Sequence, residues 1–137
     1  MNISINRRHF LITTTALVAM PIAALAAEEW IVYEPGILQA LLDEGKTVMV
    51  DYSAVWCSTC KAQEKVMDDL RALNPAYNEA MVFVRVDWDD FMRHTVTTSR
   101  KIPRRSTLLV LRGSEELGRI VAGTSVADIK ALMDLGL

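Results

Sequence analysis

Two strand-like segments on either side of a helical segment place the strongest constraint on the fold of this chain. Thr47–Ser53 and Met81–Asp87 are almost continuously apolar and rich in β-branched residues, as expected for strands covered on both faces. Between them, apolar residues recur at helical spacing from Ser58 to about Leu73. A strand, a helix and a second strand in this order predict a parallel crossover and therefore an α/β fold.

Further elements are predicted on both sides of this crossover, and 137 residues suit one domain. In chain order they are a short apolar piece at 30–33, a helix over 35–45, a weak helix over 89–99, a hairpin of 107–111 with 117–122, and a helix over 126–135. Ser125 is the predicted N-cap of the last helix.

The only two cysteines of the chain lie where the first strand pattern gives way to the helical one. A helix that begins near Cys57 places that sulfur beside unpaired backbone N–H groups and the positive end of the helix dipole, which stabilise a thiolate. Cys60 follows by one helical turn, within reach of a mixed disulfide on Cys57. This spacing predicts dithiol-disulfide exchange.

Two structural roles for the cysteines are disfavoured. A Cys-x-x-Cys pair closes too small a loop to stabilise a fold by crosslinking, because the entropic gain grows with loop length. A structural zinc site usually needs four ligands, and only His94 remains after residue 26 to join the two sulfurs. No metal site is therefore predicted, and no cofactor beyond the redox-active disulfide is expected.

Residues 1–26 have the features of an export signal, in which Arg7 and Arg8 precede an apolar run that ends in small residues. We expect cleavage after Ala26, a mature domain of residues 27–137 and a periplasmic location. The alternative is an uncleaved anchor, because an apolar run of about 18 residues is at the lower limit for spanning a bilayer. The paired arginines resemble a twin-arginine signal, and an ordinary secretory signal is an equal alternative.

The charge balance does not favour nucleic-acid binding. Without residues 1–26 the chain keeps 13 Lys and Arg against 17 Asp and Glu, a formal charge of −4. We expect instead a monomer whose partners are exported proteins that contain disulfides. Exchange also requires a redox partner outside the chain, such as a membrane electron donor.

From about Pro35 to Leu137 the chain resembles the thioredoxin family. Val50-Asp51-Tyr52 before Trp56-Cys57-x-x-Cys60-Lys61 is similar to the family's buried-aspartate strand leading into its active site, and Thr107–Leu111 is similar to its later strand. The resemblance implies a thioredoxin-like three-layer sandwich, with a mixed central sheet of about four to five strands and about four flanking helices.

Within the superfamily, two helix residues narrow the resemblance. Glu64 follows Cys60 by four residues, and Lys65 stands where many thioredoxins have a helix-kinking proline. This pattern is similar to the C-terminal domains of DsbD-type thiol-disulfide interchange proteins, which favours an exported reductant.

The resemblance assigns Cys57 as the attacking nucleophile and Cys60 as the resolving thiol. It implies that Asp51 lies behind the pair and moves protons, with its pKa raised by burial, and Glu64 could share that task. A carboxylate that only bonds to the backbone is the alternative for Asp51. A solvated charge on a helix face is the alternative for Glu64.

Trp56, Ser106 and Thr107 are predicted to form the partner-binding surface. The family places a cis-proline directly before the strand that begins here at Thr107, and that position is Ser106. Either the loop brings Pro103 into place or Ser106 has replaced the proline, and we favour replacement. A serine there would hold a trans peptide bond and add an N–H and a hydroxyl near the sulfurs.

These features predict an exported thiol-disulfide oxidoreductase, and we favour reduction over oxidation. The dipeptide between the cysteines, Ser58-Thr59, is neither the Gly-Pro of common reductants nor the Pro-His of strong oxidants. Two other functions are compatible with the same pair: a soft-metal (copper) binding module, since thiolates select such metals, and a client-binding accessory factor that uses its thiols rarely.

Overall fold

The computed structural model describes residues 29–137. The predicted export signal over residues 1–26, with its cleavage after Ala26, lies outside the described residues. Across residues 29–137, no helix is both long enough and apolar enough to cross a membrane.

The described residues form five strands and six helices. The strands are β1 (Ile31–Val32), β2 (Thr47–Ser53), β3 (Met81–Asp87), β4 (Thr107–Arg112) and β5 (Glu115–Val121). The helices are α1 (Ile37–Asp43), α2 (Ser58–Leu73), α3 (Ala76–Ala80), α4 (Trp88–Phe91), α5 (Thr95–Thr98) and α6 (Val126–Asp134).

The five strands form one mixed sheet in the order β1-β3-β2-β4-β5. β3 pairs in parallel with β1 and β2, while β4 pairs antiparallel with β2 and β5. The predicted parallel crossover, the hairpin and the sheet of about four to five strands are confirmed.

Helices cover both faces of the sheet because successive side chains of a strand point to opposite faces. Val48, Val50 and Tyr52 of β2 pack into a core shared with α1. Met49 of the same strand packs into a second core shared with α2, α3 and α6. The predicted three-layer arrangement is confirmed, and the alternation turns Asp51 toward the α2 side.

The expected number of helices, about four, is wrong, since the described residues form six. α3 is a short additional helix after Pro75. The segment predicted as one helix over 89–99 is divided between α4 and α5, because two side chains each cap a separate start. Asp87 accepts from the Asp90 N–H, and His94 accepts from the Val96 N–H.

The last helix begins as predicted. The Ser125 hydroxyl oxygen accepts a hydrogen bond from the Asp128 N–H at 3.3 Å. This satisfies one of the backbone donors that the first turn of α6 leaves without an intrahelical partner.

Candidate active site

Cys57 and Cys60 lie together at the N-terminus of α2. Cys57 is the N-cap of the helix, and its sulfur accepts a hydrogen bond from the Cys60 N–H at 3.2 Å. The two residues form a disulfide with a Cα–Cα distance of 5.3 Å. After reduction, the same N–H and the helix dipole would stabilise a Cys57 thiolate.

The turn between β2 and α2 leaves this disulfide beside a small apolar surface. The Cys57 N–H donates to the Ala54 carbonyl oxygen at 3.1 Å, which closes the turn. Both cysteines are buried, whereas Val55 and Trp56 are 78% and 56% exposed. Two exposed apolar side chains therefore precede the buried cysteine pair in the chain.

Ser106 contacts both sulfurs. Its hydroxyl oxygen lies 3.2 Å from Cys57 Sγ and 3.1 Å from Cys60 Sγ, and the residue is fully buried. Pro103 lies exposed on the surface. The structure therefore places Ser106, and not Pro103, at the position beside the disulfide, and residues 29–137 contain no cis peptide bond.

The backbone of Ser106 is held by three other parts of the chain. Its N–H donates to the Tyr52 carbonyl oxygen, and its own carbonyl oxygen accepts from the Ala122 N–H, both at 2.8 Å. The buried Gln63 side chain of α2 also donates to this carbonyl oxygen, at 3.0 Å. Ser106 has a left-handed φ of 62°, a conformation that these bonds hold in place.

Asp51 is a fully buried carboxyl group on the α2 side of β2. Neither of its oxygens accepts a hydrogen bond from the described residues. Burial raises the pKa of Asp51 to about 7, although the positive charge of Arg85 acts in the opposite direction. A carboxyl group with this pKa can hold or release a proton near neutral pH.

Arg85 connects Asp51 to Glu64 and was missed by the sequence analysis. It lies 3.5 Å from the Asp51 carboxylate through Nε and 3.0 Å from the Glu64 carboxylate through Nη2. The register of β2 and β3 places Asp51 and Arg85 side by side. The sequence did contain a signal for this role, because Arg85 is a charged residue inside the otherwise apolar run 81–86.

A pocket of about 260 Å³ opens beside these charged groups. Its lining comprises Ser53, Ala54, Val55, Lys61, Glu64, Arg85 and Asp87. The Glu64 side chain is 35% exposed, so it is neither fully solvated nor buried. The pocket therefore gives the Arg85 and Glu64 side chains a route to solvent.

Trp56 and Thr107 have different surroundings. The Trp56 indole N–H donates to the Asp89 carboxylate at 2.8 Å, and the Arg105 guanidinium lies 4.4 Å from the centre of the Trp56 ring. Thr107 is buried, and its hydroxyl donates to the Arg104 carbonyl oxygen at 2.7 Å. Trp56 is thus on the surface beside the sulfurs, while the Thr107 side chain holds the preceding loop.

The cysteine pair is not part of a metal-binding cluster of His, Cys, Asp or Glu side chains among the described residues. Within residues 29–137, no group of three or more His, Cys, Asp or Glu side chains is arranged to hold a metal ion. His94, the one histidine that could have joined the sulfurs, instead caps α5.

The fold and the position of its cysteine pair define a protein with a thioredoxin fold and a dithiol-disulfide site at a helix N-terminus. The model of the family described as thioredoxin-like matches residues 30–108, and the chain belongs to this family.

The chain is similar to several thioredoxins of known sequence. It is 36% identical to Thioredoxin H7 of Arabidopsis thaliana over 85 residues, which cover 62% of this chain and 61% of that protein. It is 33% identical to Thioredoxin H2-1 of Oryza sativa subsp. japonica over 76 residues, or 56% of this chain and 51% of that protein. The chain thus spans about half to three fifths of the length of these relatives.

Solved structures agree with the fold. Trxlp from Edwardsiella tarda EIB202 is 26% identical, with a TM-score of 0.65 over 76% of this chain and 98% of that one. The reduced thioredoxin pre-protein of Schistosoma mansoni is also 26% identical, with a TM-score of 0.62 over 80% of this chain and 99% of that one.

Proposed function

We propose that this protein is a thiol-disulfide oxidoreductase that reduces disulfides in partner proteins. The observation that carries the proposal is the position of Cys57. Its sulfur caps α2 and accepts a hydrogen bond from the Cys60 N–H, and Cys57 directly follows the exposed residues Val55 and Trp56 in the chain. The thioredoxins to which the chain is similar support this activity.

The reaction has two displacement steps. The Cys57 thiolate attacks one sulfur of the partner disulfide, which forms a mixed disulfide and releases the other partner sulfur as a thiolate. Cys60 then loses its proton and attacks the Cys57 sulfur. The Cys57–Cys60 disulfide forms, the second partner thiolate leaves, and two electrons have passed to the partner.

Asp51 and Glu64 are proposed to move the proton of Cys60. Asp51 lies on the α2 side of the sheet, and its pKa of about 7 lets it accept a proton at neutral pH. Arg85 and the adjoining pocket connect it to Glu64 and to solvent. A second dithiol protein must then reduce the Cys57–Cys60 disulfide before the next turnover.

Insulin reduction tests the activity. The purified protein should accelerate the reduction of insulin by dithiothreitol, which is measured by precipitation of the insulin B chain. Cys57→Ser should abolish this acceleration. Cys60→Ser should instead accumulate a mixed disulfide with insulin that is visible on non-reducing gels. Equal activity of wild type and Cys57→Ser would overturn the proposed function.

The reduction potential tests the direction. Equilibration with dithiothreitol or glutathione buffers, followed by a count of free thiols, gives the value. A potential near the roughly −270 mV of thioredoxin would support a reductant, whereas one near about −120 mV would make the protein an oxidant.

Export to the periplasm and a DsbD-like reducing role are part of the same proposal. They are supported by the sequence of residues 1–26 and by Glu64 and Lys65 after the cysteine pair. Cell fractionation tests the location, and absence from the periplasm would contradict it. The double variant R7K/R8K retains the positive charge, so it should block only a twin-arginine route.

The electron donor can be identified in cells. Because Cys60→Ser cannot resolve a mixed disulfide on Cys57, it should trap client proteins. Its Cys57 thiolate can also attack the disulfide of the oxidised donor, and acid quenching should preserve that mixed disulfide before the second donor thiol releases it. A membrane protein among the trapped species would support the expected membrane donor, and its absence from repeated trapping would contradict it.

A further inference from the structure

The hydroxyl group of Ser106 is placed to bond with either catalytic sulfur. Its oxygen is 3.2 Å from Cys57 Sγ and 3.1 Å from Cys60 Sγ. Among residues 29–137 it has no other hydrogen-bond partner in the structure. Ser106 is fully buried, so bulk water does not compete for this hydroxyl.

A serine hydroxyl has one hydrogen to donate and two lone pairs with which to accept. Beside a disulfide it meets two weak acceptors. Once a thiolate forms, the hydroxyl hydrogen is drawn to the negative charge, because hydrogen bonds to ionised groups are about twice as strong as neutral ones. The remaining S–H group can then donate to the Ser106 oxygen.

We propose that Ser106 is a switchable hydrogen-bond donor, which stabilises the Cys57 thiolate in the reduced protein and the Cys60 thiolate once Cys57 is bound to a partner. The proposal rests on the proposed function, since it assigns a donor to each of its two thiolates. Because the two distances in the disulfide form differ by only 0.1 Å, rotation of the hydroxyl hydrogen about the Cβ–Oγ bond can direct the donation to either sulfur.

The backbone around Ser106 keeps the hydroxyl in this position. Hydrogen bonds to Tyr52, Ala122 and Gln63 tie the residue to the end of β2, to the segment after β5 and to α2. Such anchoring limits the movement of the oxygen between the two chemical steps.

The proton and electron balance is unchanged by this role. In the first step the Cys57–partner bond forms and the partner disulfide breaks, while Ser106 keeps its hydrogen. In the second step the Cys57–Cys60 bond forms and the mixed disulfide breaks, and Ser106 again only donates a hydrogen bond. The two electrons come from the two thiols alone.

The variant Ser106→Gly tests the proposal. It removes the hydroxyl and retains the left-handed backbone, since glycine adopts a φ of 62° without strain. The matched control is Ala122→Gly, because Ala122 has a similar left-handed φ of 60° and the substitution retains the backbone N–H that donates to the Ser106 carbonyl oxygen. Both variants gain the same backbone freedom, but only one loses a hydroxyl.

Two readouts report on the two thiolates. The pH dependence of Cys57 alkylation by iodoacetamide gives its pKa in the reduced protein. Reaction with the aromatic disulfide 5,5′-dithiobis(2-nitrobenzoate) releases one coloured thiolate when Cys57 attacks and a second when Cys60 resolves. The second release therefore measures the Cys60 step separately.

We expect Ser106→Gly to raise the pKa of Cys57 by about 1 to 2, the value of a hydrogen bond to a charged group. The second release should slow about tenfold at neutral pH. Ala122→Gly should leave the pKa of Cys57 unchanged and the rate of the second release within about twofold of the wild-type rate. If Ser106→Gly leaves the pKa of Cys57 unchanged and the second release within about twofold of the wild-type rate, or if the control changes both equally, the proposal is overturned.

Two further measurements keep the test decisive. If Ser106→Gly does not fold, Ser106→Ala removes the same hydroxyl and replaces one non-glycine residue by another at the left-handed φ of 62°. A Cys57 pKa in Ser106→Ala equal to that of the wild type would overturn the proposal. The aromatic reagent needs no protein client. A chain that releases both coloured thiolates but does not reduce insulin would contradict the proposed function alone.

Discussion

Asp51 is a residue whose burial costs the protein stability at neutral pH. Its pKa is raised from 3.8 to about 7 because the surrounding core disfavours the charged form. Between these two values the folded state holds a proton that the unfolded chain has released. The contribution of Asp51 to stability is therefore largest below about pH 4 and falls as the pH rises toward 7.

We expect Asp51→Asn to stabilise the disulfide-bonded protein at pH 8, by up to about 4 kcal/mol, because each unit of pKa shift corresponds to about 1.4 kcal/mol. The gain should disappear at pH 4. Urea unfolding at both pH values measures it, with the exposed Asp69→Asn as the control. A gain that is the same at pH 4 and pH 8 would contradict the buried-charge explanation.

At the scale of elements, Arg85 joins β2, β3 and α2 through charge. It lies between the carboxylates of Asp51 and Glu64, at 3.5 and 3.0 Å, and its guanidinium is 4.7 Å from the centre of the Trp30 ring. Its charge lowers the Asp51 pKa, while the charge of Glu64 raises it. Removing the charge of Arg85 and removing the charge of Glu64 should therefore shift the Asp51 pKa in opposite directions.

We expect Arg85→Met to raise the pKa of Asp51 above its wild-type value and Glu64→Gln to lower it. Carbon-13 NMR titration of the Asp51 carboxyl group measures both shifts directly. The exposed Lys65→Met serves as the control, because it removes a positive charge from α2 that pairs with Asp69. Shifts of the same sign in the two test variants would show that the ion pairs do not control Asp51.

The order of the elements was largely predictable, and their number was not. β2, α2 and β3 follow from local hydrophobic periodicity, which depends only on neighbouring residues. The division of the 89–99 segment depended on two capping side chains, Asp87 and His94. Single caps are a weak signal in a short segment with little periodicity.

At the scale of the whole molecule, the cysteine pair lies at one end of the sheet and the close packing of Gly136 lies at the other. The cysteines follow the C-terminal end of β2, whereas Met81 lies at the N-terminal end of the parallel strand β3. Gly136 packs against Met81, and a Cβ atom at Gly136 would lie 2.1 Å from the Met81 sulfur. A substitution at the Gly136 end of the sheet should therefore change the free energy of unfolding and leave the reactivity of the cysteines unchanged.

We expect Gly136→Ala to lower the free energy of unfolding by about 1–3 kcal/mol through overpacking, with the pKa of Cys57 unchanged. Urea unfolding and iodoacetamide alkylation measure the two quantities. In a Met81→Ala background, which makes room for the added methyl group, the cost should be smaller. An equal cost in both backgrounds would show that Met81 is not the cause.

The sequence by itself determined the strands, the main helices and the placement of Cys57 and Cys60 at a helix N-terminus, because these depend on residues close together in the chain. Only the tertiary structure decided that Arg85 pairs with Asp51 and that the Ser106 hydroxyl contacts both sulfurs. These contacts join residues 34 to 49 positions apart. They exist because strand register and the loop before β4 bring those residues together, and local periodicity carries no information about either.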